Sequence, residues 1–111
     1  MRRLKLYSAQ TGFVYEYCYE GHRVARGAIE FAFSVSADRK TWRAARVLVG
    51  HSALLSWEQA HARELTPTER YAIAKMALFQ AFDERPHPDR MNGEILVRAA
   101  DVEAIVETLG L

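Results

Sequence analysis

The sequence is poor in the features that announce chemistry. Only one of its 111 residues, Cys18, is a cysteine, so no internal disulfide forms and the chain suits a reducing compartment. No apolar run approaches the ~20 residues of a helical membrane span. The opening stretch MRRLKLYS carries charge without the apolar core of a secretory signal. These absences predict a soluble, cytoplasmic protein with no membrane partner. Net charge is also scarce: 15 Lys+Arg stand against 14 Asp+Glu, a formal +1, so no bulk field draws the chain to nucleic acid or lipid. GxSxG, Walker, GxGxxG, HExxH, HxH and CxxC patterns are all missing, as are repeats, linkers and low-complexity tracts. The expectation is one domain over residues 1–111 with no recognisable nucleophile, acid/base pair, cofactor site or metal site.

What is present is ordinary globular material: 50% hydrophobic and 26% charged residues. The length is enough to bury roughly two thirds of the unfolded surface without staples. Charge is unevenly placed, with nine Lys/Arg against four Asp/Glu up to Gly50 and six against ten beyond it. That asymmetry reads as a basic sheet edge or as complementary surfaces in an oligomer.

The strongest local signal is Thr66 to Phe82, TPTERYAIAKMALFQAF. Thr66 and Glu69 are spaced as a reciprocal capping box, and Pro67 falls at the first helical position, where its missing N–H costs nothing. Tyr71, Ala74, Leu78 and Phe82 make a core stripe with Ala81 beside it, while Ile73, Met76 and Phe79 lie on the flanks and far side. A helix apolar nearly all round needs cover from more than one element, here a sheet plus another helix or a partner chain. Pro86 and Pro88 end it.

Ahead of this helix the chain alternates. Arg3 to Tyr7 reads as a short edge strand carrying Leu4 and Leu6. Phe13 to Glu20 places Phe13, Tyr15, Tyr17 and Tyr19 on one face and Val14, Glu16, Cys18 and Glu20 on the other. Gly21-His22 is read as the turn. Ala28 to Ser36 turns Ile29, Phe31, Phe33 and Val35 inward, residues 37–40 form a polar hairpin loop, and Trp42 to Val49 returns. Ser52 to Leu65 reads as a short helix with Ser56 and Gln59 as its cap. Glu94 to Arg98 is a short strand, and Asp101 caps a last helix with Val102, Ile105, Val106 and Leu109 in one stripe before Gly110. The predicted class is α+β: an antiparallel meander of three to four strands packed by a central helix, with a short C-terminal strand and a closing helix.

Several constellations invite a functional reading. Arg39, Lys40, Trp42 and Arg43, with Arg46 and the N-terminal Arg2 and Arg3, suggest phosphate contacts around one stacking ring. Strand periodicity sends Arg43 and Arg46 to opposite faces, which favours a solvated hairpin instead. The tyrosine row Tyr15, Tyr17, Tyr19 is either an open stacking platform or the inner face of a half-buried strand, and the latter is the commoner use. Glu58, His61 and Glu64 share one helix side, but di-iron bundles use two Glu-x-x-His copies and this chain has one. His22, His51 and His87 share no ligand spacing. Cys18 lies between Glu16 and Glu20, whose charges oppose a thiolate.

The stretch WRAARVLV, the helix Arg70-Tyr71-Ala72-Ile73-Ala74-Lys75 and the closing run from Gly93 to Val102 together resemble a group of short bacterial proteins that share a domain of unassigned function. The resemblance spans about Ala28 to Val102. It implies a small bacterial cytoplasmic α+β protein and brings no catalytic residues with it. Taken together, the sequence points to a non-enzymatic interaction or accessory module. Such a module self-associates as a homodimer through the Ile73, Met76, Phe79 side or a sheet edge. The alternatives are a nucleic-acid-associated module using residues 38–46, and a small-ligand pocket between the tyrosine row and the helices near Glu58 and His61.

Overall fold

A computed structural model describes residues 3–111. Five strands form one sheet in the order β1-β2-β3-β4-β5. They are β1 (Lys5–Ser8), β2 (Val14–Ala25), β3 (Ala28–Ser36), β4 (Arg43–Gly50) and β5 (Gly93–Val97). The first four make an antiparallel meander, and β5 joins the far edge parallel to β4. Helices α1 (His51–His61) and α2 (Pro67–Glu84) and a 3-10 turn at Pro88–Met91 fill the crossover from β4 to β5, and α3 (Ala99–Leu109) closes the chain. The fold is α+β, with the meander, C-terminal strand and closing helix that the sequence predicts.

Helix α2 starts as its sequence dictates. The Glu69 amide donates to Thr66 Oγ1 at 3.1 Å, and the Thr66 amide donates back to Glu69 Oε1 at 2.9 Å. Ile73, Ala74, Ala77, Leu78, Ala81 and Phe82 are buried, and rings from the sheet meet them. Tyr15 stacks on Phe82 at 4.2 Å, Tyr7 on Phe79 at 4.3 Å, and Tyr19 leans on Tyr71 at 4.8 Å. The tyrosine row is therefore the inner face of the sheet, with Tyr15 and Tyr17 buried. Val102, Ile105 and Val106 turn α3 into the same core cluster.

Three local readings change and one left open is decided. Gly21-His22 is no turn: β2 runs on to Ala25, with a register shift between Tyr19 and Gly21, and the chain reverses at Arg26-Gly27, both with positive φ. Leu4 and Leu6 are exposed at 57% and 63%, because Tyr7, paired with Tyr15, is the inward residue of β1. Helix α1 follows β4 directly, with Gly50 as its N-cap, so Ser56 lies inside the helix and caps nothing; left-handed Ala62 ends it. At α3 the N-cap is Arg98, and Asp101 sits in the first turn, where its Oδ2 accepts from the Arg98 amide at 2.9 Å.

Candidate functional site

The residues singled out by sequence scatter over the fold. Arg2 lies outside the described residues, and Arg3 is exposed. Asp38 organises the β3–β4 loop by accepting from the Lys40 and Thr41 amides, each at 2.8 Å. Those donors hold its carboxyl down at about 2. Arg39, at φ 64, pairs with Glu16 at 2.6 Å, Lys40 points to solvent, and Trp42 is 41% exposed. Arg43 falls on the helix-side face with Ala45, whereas Arg46 falls on the opposite face. The hairpin's cations are thus divided among different directions.

The trio Ile73, Met76 and Phe79 does not form an outward surface. Ile73 is wholly buried, Phe79 is roofed by Tyr7, and Met76 is packed against the core cluster. Tyr7 of β1 and helix α3 cover part of this side of α2 within the chain, leaving Met76 and Phe79 half-buried. Glu58 and His61 also part company. Glu58 Oε2 accepts from the Leu65 amide at 2.7 Å and from Arg70 at 3.2 Å, while His61 stacks on Trp57 and pairs with Glu103 at 3.0 Å. Glu64 lies past the helix end.

What the helices leave uncovered is the other face of the sheet. No described helix lies over it. Strand alternation puts Leu6, Val14, Glu16, Cys18, Glu30, Ala32, Ser34, Ala44, Arg46, Leu48, Glu94 and Leu96 on this side. Leu4, Leu6, Val14, Trp42 and Leu96, five of the eight large exposed apolar side chains, belong to it. Leu4 and Trp42 border a depression of about 530 Å³ floored by Cys18 and Ser34. Its charges are matched internally: Arg39 meets Glu16, Arg23 meets Glu30 at 3.1 Å, and Arg26 meets Glu94. Arg46 Nε is buried among them with no hydrogen-bond partner.

A second concavity opens on the helix side, at the seam between β2, β3 and the start of α2. It measures about 380 Å³, with Ile29 and Phe31 as floor and Tyr19, His22, Arg70 and Tyr71 around it. The bulge creates it. Two residues, Glu20 and Gly21, stand against Ala32 alone, so Tyr19 and His22, three apart, emerge on one face instead of opposite faces. The Tyr19 hydroxyl then lies 2.9 Å from His22 Nδ1.

Sequence reasoning put Val14 on the face opposite the tyrosines but did not assign Leu4, Leu6 and Leu96 to that face. Their signal was present as alternation with the aromatic positions, since Val14 must oppose Tyr15 and Leu6 must oppose Tyr7. Comparison with family models, curated proteins and solved structures finds no match to this chain.

Proposed function

We propose that this chain is a non-enzymatic interaction module that pairs with a second copy of itself through the uncovered sheet face. The observation that carries the reading is the concentration of exposed apolar side chains on that face. A strand residue occupies a fixed patch of sheet plane, so the whole sheet offers about 600 Å². With its rim it approaches the roughly 800 Å² per partner of a standard stable interface. Charge favours a like partner. The face is close to neutral because Arg23, Arg26 and Arg39 hold Glu30, Glu94 and Glu16, so it offers little field to a polyanion, and two copies meet with most charge compensated. Leu4, Leu6 and Val14 at one border of the sheet and Leu96 at the other leave apolar side chains in water that a second copy would cover.

The test is mass as a function of concentration, by size-exclusion chromatography with light scattering. The wild type is expected to approach twice the monomer mass as concentration rises. A Leu6→Asp, Leu96→Asp variant should stay monomeric with unchanged circular dichroism, because both side chains already face solvent. A wild type that remains strictly monomeric at the highest attainable concentration sinks the proposal.

A further inference from the structure

We propose that the seam groove between the β2 bulge and α2 is a binding site for a small planar aromatic carboxylate. Its volume of about 380 Å³ falls within the range of small-ligand pockets. Its apolar part is built from rings: Phe31 is 6.4 Å and Tyr19 4.8 Å from Tyr71, centroid to centroid. These spacings are those of offset and tilted aromatic packing, so a flat ring entering the groove meets π faces on more than one side.

The polar part supplies the anion's partners. Arg70 is held in place by Glu58, which takes only Nη2 at 3.2 Å. Its Nε is buried without a hydrogen-bond partner, and no partner is found for Nη1 among the described residues. A guanidinium nitrogen donates a strong, charge-assisted hydrogen bond to a carboxylate. Fixed through Nη2 and with Nε enclosed, Arg70 keeps Nη1 as the donor for a ligand that a freely moving arginine would have to reorganise to present. His22 stands across the groove. When the Tyr19 hydroxyl donates to Nδ1, the ring proton resides on Nε2, which makes the lining His22 a second donor.

The bulge is a further reason to read the groove as built. Such an insertion re-aims side chains, and here it turns His22 from the uncovered face to the helix side. Gly21 absorbs the distortion at φ +130, a conformation that side-chain-bearing residues rarely adopt.

The site is tested by NMR titration of the intact protein with indole-3-carboxylate, using neutral indole as the comparison. Saturable shifts are expected at the amides of Tyr19, His22, Phe31 and Tyr71, with the carboxylate bound more tightly than indole. Arg70→Gln should weaken the carboxylate by at least about tenfold and leave indole unchanged. Thr68→Trp, at the exposed rim, should block both ligands without touching the core, so the test survives if the Arg70 variant folds poorly. Absence of saturable shifts at millimolar ligand overturns the proposal. So do shifts mapping elsewhere, or equal affinity for the acid and indole. Self-association does not enter the readout, so either proposal can fail alone.

Discussion

Tyr7 and Asp83 fasten the first strand to the last turn of α2. The phenol donates to Asp83 Oδ2 at 2.6 Å, and the Gln10 amide donates to Oδ1 at 3.0 Å. The hydrogen bond to Asp83, then burial, push the Tyr7 phenol up to about 12. A raised pKa means that the folded chain favours the neutral phenol, so this contribution is full below the ordinary value near 10 and fades as pH climbs toward 12. Tyr7→Phe should therefore cost about 1.5 kcal/mol at neutral pH, the low end for a bond to a charged acceptor that solvent reaches. Urea unfolding of both proteins should show the gap closing over that alkaline window; a gap independent of pH would contradict the assignment. Asp38 works in the opposite sense. Its carboxyl is lowered to about 2 by the Thr41 and Lys40 amides, so its contribution is present above the usual carboxylate range and disappears as pH falls toward 2. At the centre of the core, Phe82 is fully buried under Tyr15, and Phe82→Ala should cost about 3–5 kcal/mol in the same unfolding measurement.

Among the elements, α2 was readable because its start signal, apolar periodicity and stop signal agree. Thr66→Ala removes one half of the reciprocal cap and should cost about 1 kcal/mol, measured by denaturant midpoint at unchanged slope. Strand β2 was only half readable. A glycine followed by a histidine looks like a turn, and nothing local distinguishes a reversal from an extra residue absorbed within a strand. The partner strand decides, since Ala32 on β3 faces both Glu20 and Gly21. Gly21→Ala meets no atom within 4 Å but inherits a φ of +130, so strain rather than collision should destabilise it by about 1–3 kcal/mol. Its signature beyond stability is a shift in the His22 ring resonances, whose absence would disconnect the bulge from the groove. Strand β1 was read as a short edge strand and is one, but its inward face was left open. In four residues, alternation shows that two faces exist but not which is inward, and the Tyr7 hydrogen bond to Asp83, far away in sequence, makes that choice. The start of α1 was missed because β4 enters it with no intervening loop, and Asp101 was misplaced because it accepts from the Arg98 amide in the first turn of α3, three residues past the cap itself.

For the whole molecule, the class and the four-strand meander could be read from periodicity, whereas the place of β5 could not. Which edge it joins follows from α1 and α2 laying the chain back across the sheet, a matter of packing between distant segments. The same limit hid the two candidate sites. The uncovered face exists because all three helices gather on one side, and the seam groove exists because a strand and a helix far apart in sequence converge. Strand β5 lies along β4 from Gly93 to Val97, yet β4 itself ends at Gly50. A chain emerging from the ribosome thus completes its meander while the outer border of β4 still has unpaired amides and carbonyls. At roughly 5–20 residues per second, the missing strand follows only about 2–9 seconds later. A fragment stopping at Asn92 should accordingly scatter light on refolding where the intact chain does not. Haste at the C-terminal end of translation, or a chaperone's hold on that bare border, becomes part of what keeps newly made copies out of aggregates.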